Sequence, residues 1–257
     1  MFRLIDTHAH LEEVADLPGA LDRARQAGVI AVVGVGSDIP SNRAILKLAA
    51  EHPGFVYPAL GLHPWRLGGV DIEASLEFIR ANIDQAVGVG EVGLDYSKPV
   101  RDTADKALQQ RVFSETLRIA REHDKPALIH SRYAWADAFN LAEKAGVRKA
   151  VFHWYTGTSS VLRAILAAGY YISANPAVGY HDEHRRAVRA TGLDQLLFET
   201  DSPVVYQPGT PSELKAAPAD AGLVLKLVAE LKGLSEARVA EAATANAARL
   251  FSLIASG

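Results

Sequence analysis

Apolar, β-rich residues gather along the chain in short runs, at 2–6, 29–35, 56–60, 86–89, 127–129, 150–152, 170–173 and 196–198. Their length and β-branched content predict strands. Between them lie alanine- and leucine-rich stretches with helical spacing, over 17–27, 41–51, 72–83, 104–123, 134–145, 159–168 and 181–190, with a closing helical pair over 218–251. Gly28, Gly146 and Gly169 stand where helices should stop. The strands are apolar throughout rather than alternating, as expected when both faces of a sheet are covered. Strand and helix repeated eight times predict an α/β fold, a parallel sheet closed into a (β/α)8 TIM barrel, as a single domain over 1–257. An open doubly wound sheet is the alternative.

A barrel of this kind gathers its chemistry at the C-terminal ends of the strands. The first predicted strand runs out into His8 and His10, the third into His63, the fourth into Glu91 and the fifth into His130 and Arg132. The sixth runs out into His153 and the eighth into Asp201. Five of the nine histidines thus sit at predicted exits rather than in strand interiors. Two imidazoles one residue apart, as in His8 and His10, project to the same side of a strand and make half of a transition-metal site.

The chain has no cysteine. Disulfides and thiolate ligands are excluded, and a metal must be held by His, Asp, Glu or water. A net charge of -3 does not support holding duplex nucleic acid by overall charge. There is no signal-like N-terminus and no run near the roughly 18 apolar residues of a spanning helix, so a soluble, cytoplasmic monomer with no membrane association is expected.

The imidazoles of His8, His10, His130 and His153, with the carboxylates of Glu91 and Asp201, exceed what one tetrahedral ion needs. They suit two divalent ions about 3.5–4 Å apart with a bridging carboxylate, for which Glu91 is the natural candidate. Such a pair implies hydrolysis, with Glu91 and Asp201 catalytic and Asp201 both holding metal and accepting a proton. Gly88, Gly90 and Gly93 match the spacing of a dinucleotide fingerprint, but they straddle a strand exit instead of opening a helix, and the acidic residue near the required offset, Glu115, lies in a helical stretch. Close backbone approach beside the metal is their expected use.

Six motifs in order, Asp6-Thr-His8-Ala-His10-Leu11, Gly61-Leu-His63-Pro64, Gly90-Glu91-Val-Gly-Leu-Asp95, His130-Ser-Arg132, His153-Trp-Tyr-Thr-Gly157 and Glu199-Thr-Asp201-Ser-Pro203, resemble those of the TatD family of metal-dependent deoxyribonucleases. The tail from Leu231 to Phe251 also resembles the family's last helices, so the likeness covers nearly the whole chain. It implies an amidohydrolase-like barrel, with His8, His10, Glu91 and Asp201 around one ion and Glu91, His130 and His153 around the other. Magnesium, manganese or zinc are the implied ions, single-stranded DNA the implied substrate, and removal of nucleotides from its 3′ end the implied reaction. His63 and Arg132 would then bind substrate at the scissile phosphate.

Two departures qualify the resemblance. The family usually carries a basic stretch after the last motif, whereas residues 206–214, from Tyr206 to Leu214, contain no lysine or arginine. Trp154 and Tyr155 replace the more usual small residue and phenylalanine. Trp65, Trp154, Tyr155 and Tyr206 could stack on unpaired bases or plug the barrel rim. The missing basic stretch keeps open a metal-dependent amide or ester hydrolase of a small molecule or an aminoacyl-tRNA. A non-catalytic binding barrel would require a broken ligand ring, and all six positions are intact.

Overall fold

The computed structural model describes residues 1–253. Eight strands form one parallel sheet in sequence order: β1 (Leu4–Ala9), β2 (Val29–Val35), β3 (Val56–Leu60), β4 (Gly88–Asp95), β5 (Ala127–Arg132), β6 (Ala150–Phe152), β7 (Tyr171–Ala174) and β8 (Leu196–Phe198). Helices intervene, and the sheet curls into a nearly closed barrel. The seam joins β1 to the chain just beyond β8: Ala9 bridges Ser202, His10 N–H donates to Ser202 O at 2.7 Å, and Asp201 N–H donates to His8 O at 3.0 Å. An open sheet, whose edge strands never meet, is thereby excluded.

Alternation along the strands separates two cores. Leu4, Val32, Leu60, Ile129, Phe152 and Phe198 pack into the shell shared with the helices. Ile5, Val33, Ala59, Leu128, Val151 and Leu197 form a second cluster with Leu250 and Phe251 of the last helix, Glu236–Phe251. That helix lies across the end of the barrel away from the predicted mouth. Its Asn246 amide donates to Leu193 O and Leu196 O, and Thr244 Oγ1 donates to Arg3 O, at the starts of β8 and β1.

Asp6 joins the two sides of the seam. One carboxylate oxygen accepts from the backbone N–H of Thr200 at 3.0 Å, and the other accepts from Thr200 Oγ1 at 2.6 Å. Burial pushes its carboxyl up to about 8, despite those donors. Thr7 Oγ1 adds a bond to Phe198 O at 2.8 Å.

Three predicted strands end too early. His8 lies within β1, Glu91 within β4 and His130 within β5 rather than beyond their ends. The backbone ladder is indifferent to side-chain polarity, so Gly93 still pairs with His130, and Asp95 with Arg132, after the apolar run has ended. The predicted first strand also starts too early, since Phe2 is 40% exposed and outside the ladder. An unpredicted hairpin, β9 (Val205–Tyr206) with β10 (Leu214–Lys215), follows the last motif. Among the described residues no helix is long and apolar enough to cross a membrane.

Candidate metal centre

The mouth is organised around Glu91, only 3% exposed. Its strand can approach β3 because residue 61 is glycine; a Cβ there would collide with the Glu91 backbone. Asn42 brackets Gly61, donating to its carbonyl at 2.8 Å and accepting from its N–H at 3.0 Å. Gly88 and Gly90 lie against Leu128, and Gly93, at φ 148°, lies against the His130 carbonyl. The glycine series therefore serves close strand packing beside Glu91, from within β4 rather than from a strand exit.

The two oxygens of Glu91 face different imidazoles. Oε2 lies 3.4 Å from His8 Nε2 and 3.3 Å from His10 Nε2. Oε1 lies 2.9 Å from His153 Nε2, 3.0 Å from His130 Nδ1 and 3.3 Å from His63 Nε2. Asp201 Oδ1 stands 3.6 Å from His8 Nε2 and 3.7 Å from His10 Nε2. All six predicted ligands are thus brought together, and His63 joins them. Three overlapping groups, His8–His153–Asp201, His8–His10–Glu91 and His63–Glu91–His130, each place their potential ligand atoms within 4.8 Å of one another.

The donor set fits a divalent ion. Both ring nitrogens of His8 are buried without a hydrogen-bond partner among the described residues, although buried polar atoms are normally bonded. Burial alone would raise the Glu91 carboxyl, but the imidazoles of His63, His153 and His8 facing it and the hydrogen bond from His10 hold it well below the usual carboxylate range. Burial likewise works against the His10 imidazolium, and Glu91 and Asp201 overcome it, pushing His10 up to about 9. His153 is raised well above the ordinary value against burial, chiefly by the charges of Glu91 and Glu199. Carboxylate density that retains protons here equally attracts a cation, which must displace them.

Two further carboxylates hold the imidazoles from behind. Glu199 Oε1 lies 3.4 Å from His153 Nδ1 and accepts from Trp154 N–H and Asn175 Nδ2, each at 3.1 Å; Oε2 accepts from Ser173 Oγ at 2.6 Å. His153, with the hydrogen bond from Ser173, keeps Glu199 ionised, at about 2, against burial. Asp95 Oδ2 stands 3.4 Å from His130 Nε2 and accepts from Trp65 Nε1 at 2.6 Å. His130 is therefore turned with Nδ1 toward Glu91, whereas His153 presents Nε2. Both acids stand in the quoted motifs, yet their roles depend on partners far away in sequence.

His63 Nδ1 accepts from the Trp65 backbone N–H at 3.2 Å, so the proton belongs on Nε2, facing Glu91. Burial lowers this imidazole to about 4, keeping it neutral. It can donate a hydrogen bond to an oxygen at the cluster. Arg132 is exposed at the end of β5; its guanidinium lies over the Tyr133 ring, 5.6 Å from the centroid, and forms no ion pair among the described residues. The aromatic residues divide. Tyr155 and Tyr206 are buried and plug the rim, Trp154 packs on Tyr206 at 5.3 Å between ring centroids, and Trp65 remains 57% exposed. Tyr133, 73% exposed beside Arg132, lacked any motif to mark it.

His184 supports this wall from the helix Asp182–Ala190. Its Nδ1 donates to Tyr155 O at 3.0 Å and its Nε2 accepts from Asn175 N–H at 3.3 Å, an arrangement only the neutral ring can make. Burial lowers it to about 4. The unfolded chain therefore takes a proton as pH falls below about 6.5, while the folded chain resists until about 4. Stability should drop by about 2 kcal/mol between pH 7 and pH 5 through this group. Urea unfolding at the two pH values should show a correspondingly smaller drop in His184→Gln; equal drops would assign the acid sensitivity elsewhere.

Comparison with known proteins agrees with this geometry. The family described as TatD related DNase matches residues 5–252. The chain is 30% identical to human deoxyribonuclease TATDN3, over 96% of this chain and 94% of that protein. It is 31% identical to YabD, an uncharacterized metal-dependent hydrolase of Bacillus subtilis, over 96% and 98% of the two chains. The crystal structure of YJJV, a TatD homologue from Escherichia coli, superposes with a TM-score of 0.88 at 27% identity, covering 98% of this chain and 99% of that one. Barrel, histidine–carboxylate mouth and whole-length similarity together place the chain in the TatD family of metal-dependent hydrolases.

Proposed function

We propose that the protein is a two-metal phosphodiesterase that removes nucleotides from the 3′ ends of single-stranded DNA. The observation that carries this reading is the division of Glu91, with Oε2 turned to His8 and His10 and Oε1 to His130 and His153. In it, His8, His10, Glu91 and Asp201 hold one ion and Glu91, His130 and His153 the other, with magnesium, manganese or zinc as candidates. Such ions lower the pKa of water and neutralise charge on a phosphoryl oxygen.

The remaining work falls to side chains. Asp201 takes the proton of the attacking water. The neutral His63 donates from Nε2 to a phosphate oxygen, and Arg132, at the open rim, pairs with the phosphate backbone. The names of the TATDN3 relative and of the matching family support a DNA substrate. Release of mononucleotides from 3′-labelled and 5′-labelled single-stranded DNA, with chelated enzyme as control, tests the reading. Metal-restored, stepwise loss of the 3′ label is expected; no release by metal-loaded protein would overturn it. The absence of lysine and arginine from 202 to 214 favours one second reading, hydrolysis of an amide or ester in a small molecule or an aminoacyl-tRNA. Turnover of such substrates without nucleotide release would select it.

Glu199 orients His153 without itself facing Glu91, and carboxylates in that position typically change metal affinity or activity by about 10–100-fold. Glu199→Gln should lose metal affinity in that range, measured by calorimetric titration, with unaltered far-UV circular dichroism. Unchanged affinity would reduce Glu199 to a packing role.

A further inference from the structure

Trp65 is the only exposed tryptophan among the described residues, yet it is not loose. Its indole N–H is bonded to Asp95 Oδ2 at 2.6 Å, and Asp95 is itself fully buried. Its ring stands edge-on to two residues of the cluster, 5.2 Å from the His63 ring and 6.2 Å from that of His130. The backbone is equally fixed, since Trp65 N–H donates to His63 Nδ1. A large apolar ring is thus held in water, beside the mouth, with its polar atom already satisfied. Ordinary packing would have covered it, as it covers Tyr155 and Tyr206.

We infer that Trp65 is the base-stacking platform of the site, receiving the unpaired base of the nucleotide whose phosphate lies at His63. This rests on the phosphodiester reading and deepens it by naming what recognises the substrate's single-stranded character. Every nucleobase has a π-face, so stacking is tolerant of sequence, but within a duplex that face is covered by the neighbouring base pair. An indole immobilised by Asp95 loses little conformational freedom on binding, and the overall negative charge matters less when part of the affinity is apolar. The bond to Asp95 also links the platform to His130, which shares the same carboxylate oxygen.

Calorimetric titration of the metal-loaded protein with 2′-deoxyadenosine 5′-monophosphate and with 2-deoxyribose 5-phosphate, which lacks the base, tests the assignment. The wild type should prefer the nucleotide by about tenfold or more, within the range of one base–aromatic stack. Trp65→Leu should lose that preference while still binding the sugar phosphate. Trp65→Phe, which keeps a ring but lacks the N–H, should retain most of it, separating the stack from the bond to Asp95. Quenching of tryptophan fluorescence by the nucleotide should vanish in both variants. Equal binding of the two ligands by wild type, or an undiminished preference in Trp65→Leu, would overturn the platform and leave the phosphodiesterase reading standing. Failure of wild type to bind either ligand would overturn both.

Discussion

Glu91→Gln is expected to lower hydrolysis by about a thousandfold or more while the barrel persists. Glutamine preserves the shape of the side chain but removes its charge and replaces one acceptor with an NH₂ donor. One or other group of imidazoles, His8 and His10 at Oε2 or His130 and His153 at Oε1, must then face a donor. Bound metal should fall by at least one ion per chain, measured by elemental analysis after dialysis. Far-UV circular dichroism should be unchanged, because Glu91 contributes to the ladder through its backbone. Wild-type activity and metal content in this variant would remove Glu91 from the bridging position.

The second large effect is expected at Asp201. Its backbone is left-handed, at φ 51°, a conformation that asparagine tolerates better than most residues. It is held by the His8 carbonyl on one side and by Val204 N–H, which donates to its own carbonyl at 2.9 Å, on the other. Asp201→Asn therefore keeps the geometry and removes only charge and basicity. A fall in kcat of about a hundredfold to ten thousandfold with little change in KM is expected if Asp201 takes the proton of the attacking water. The other group of donors, around Oε1 of Glu91, should still take up metal. A rise in KM at unchanged kcat would recast the residue as a substrate contact.

Legibility in sequence followed from what each signal measures. β2, β3, β6 and β8 begin and end where their apolar runs do, because burial and backbone pairing coincide along them. β1, β4 and β5 carry on into His8, Glu91 to Asp95, and His130 to Arg132, where the ladder persists but side chains turn polar at the mouth. The predicted helix over 104–123 is found as Lys106–Glu122, started by Asp105 accepting from Leu108 N–H, and an unpredicted short helical turn, Lys98–Arg101, precedes it. The side chains that orient the site were harder to read. Asp6 meets Thr200 across 194 positions and Glu199 meets Trp154 across 45, so no local pattern records either pairing.

The alternation of strand and helix, the parallel barrel and six candidate donors for its mouth were legible in the sequence alone. Those follow from local hydrophobic periodicity and from the rule that a barrel exposes the C-terminal ends of its strands. Tertiary structure alone decided which oxygen of Glu91 faces which imidazole, which nitrogen His130 and His153 present, and that Trp65 stays open while Tyr155 and Tyr206 are covered. Orientation and exposure depend on what distant segments pack against a side chain. Those neighbours are brought together only when β1 closes against the chain beyond β8.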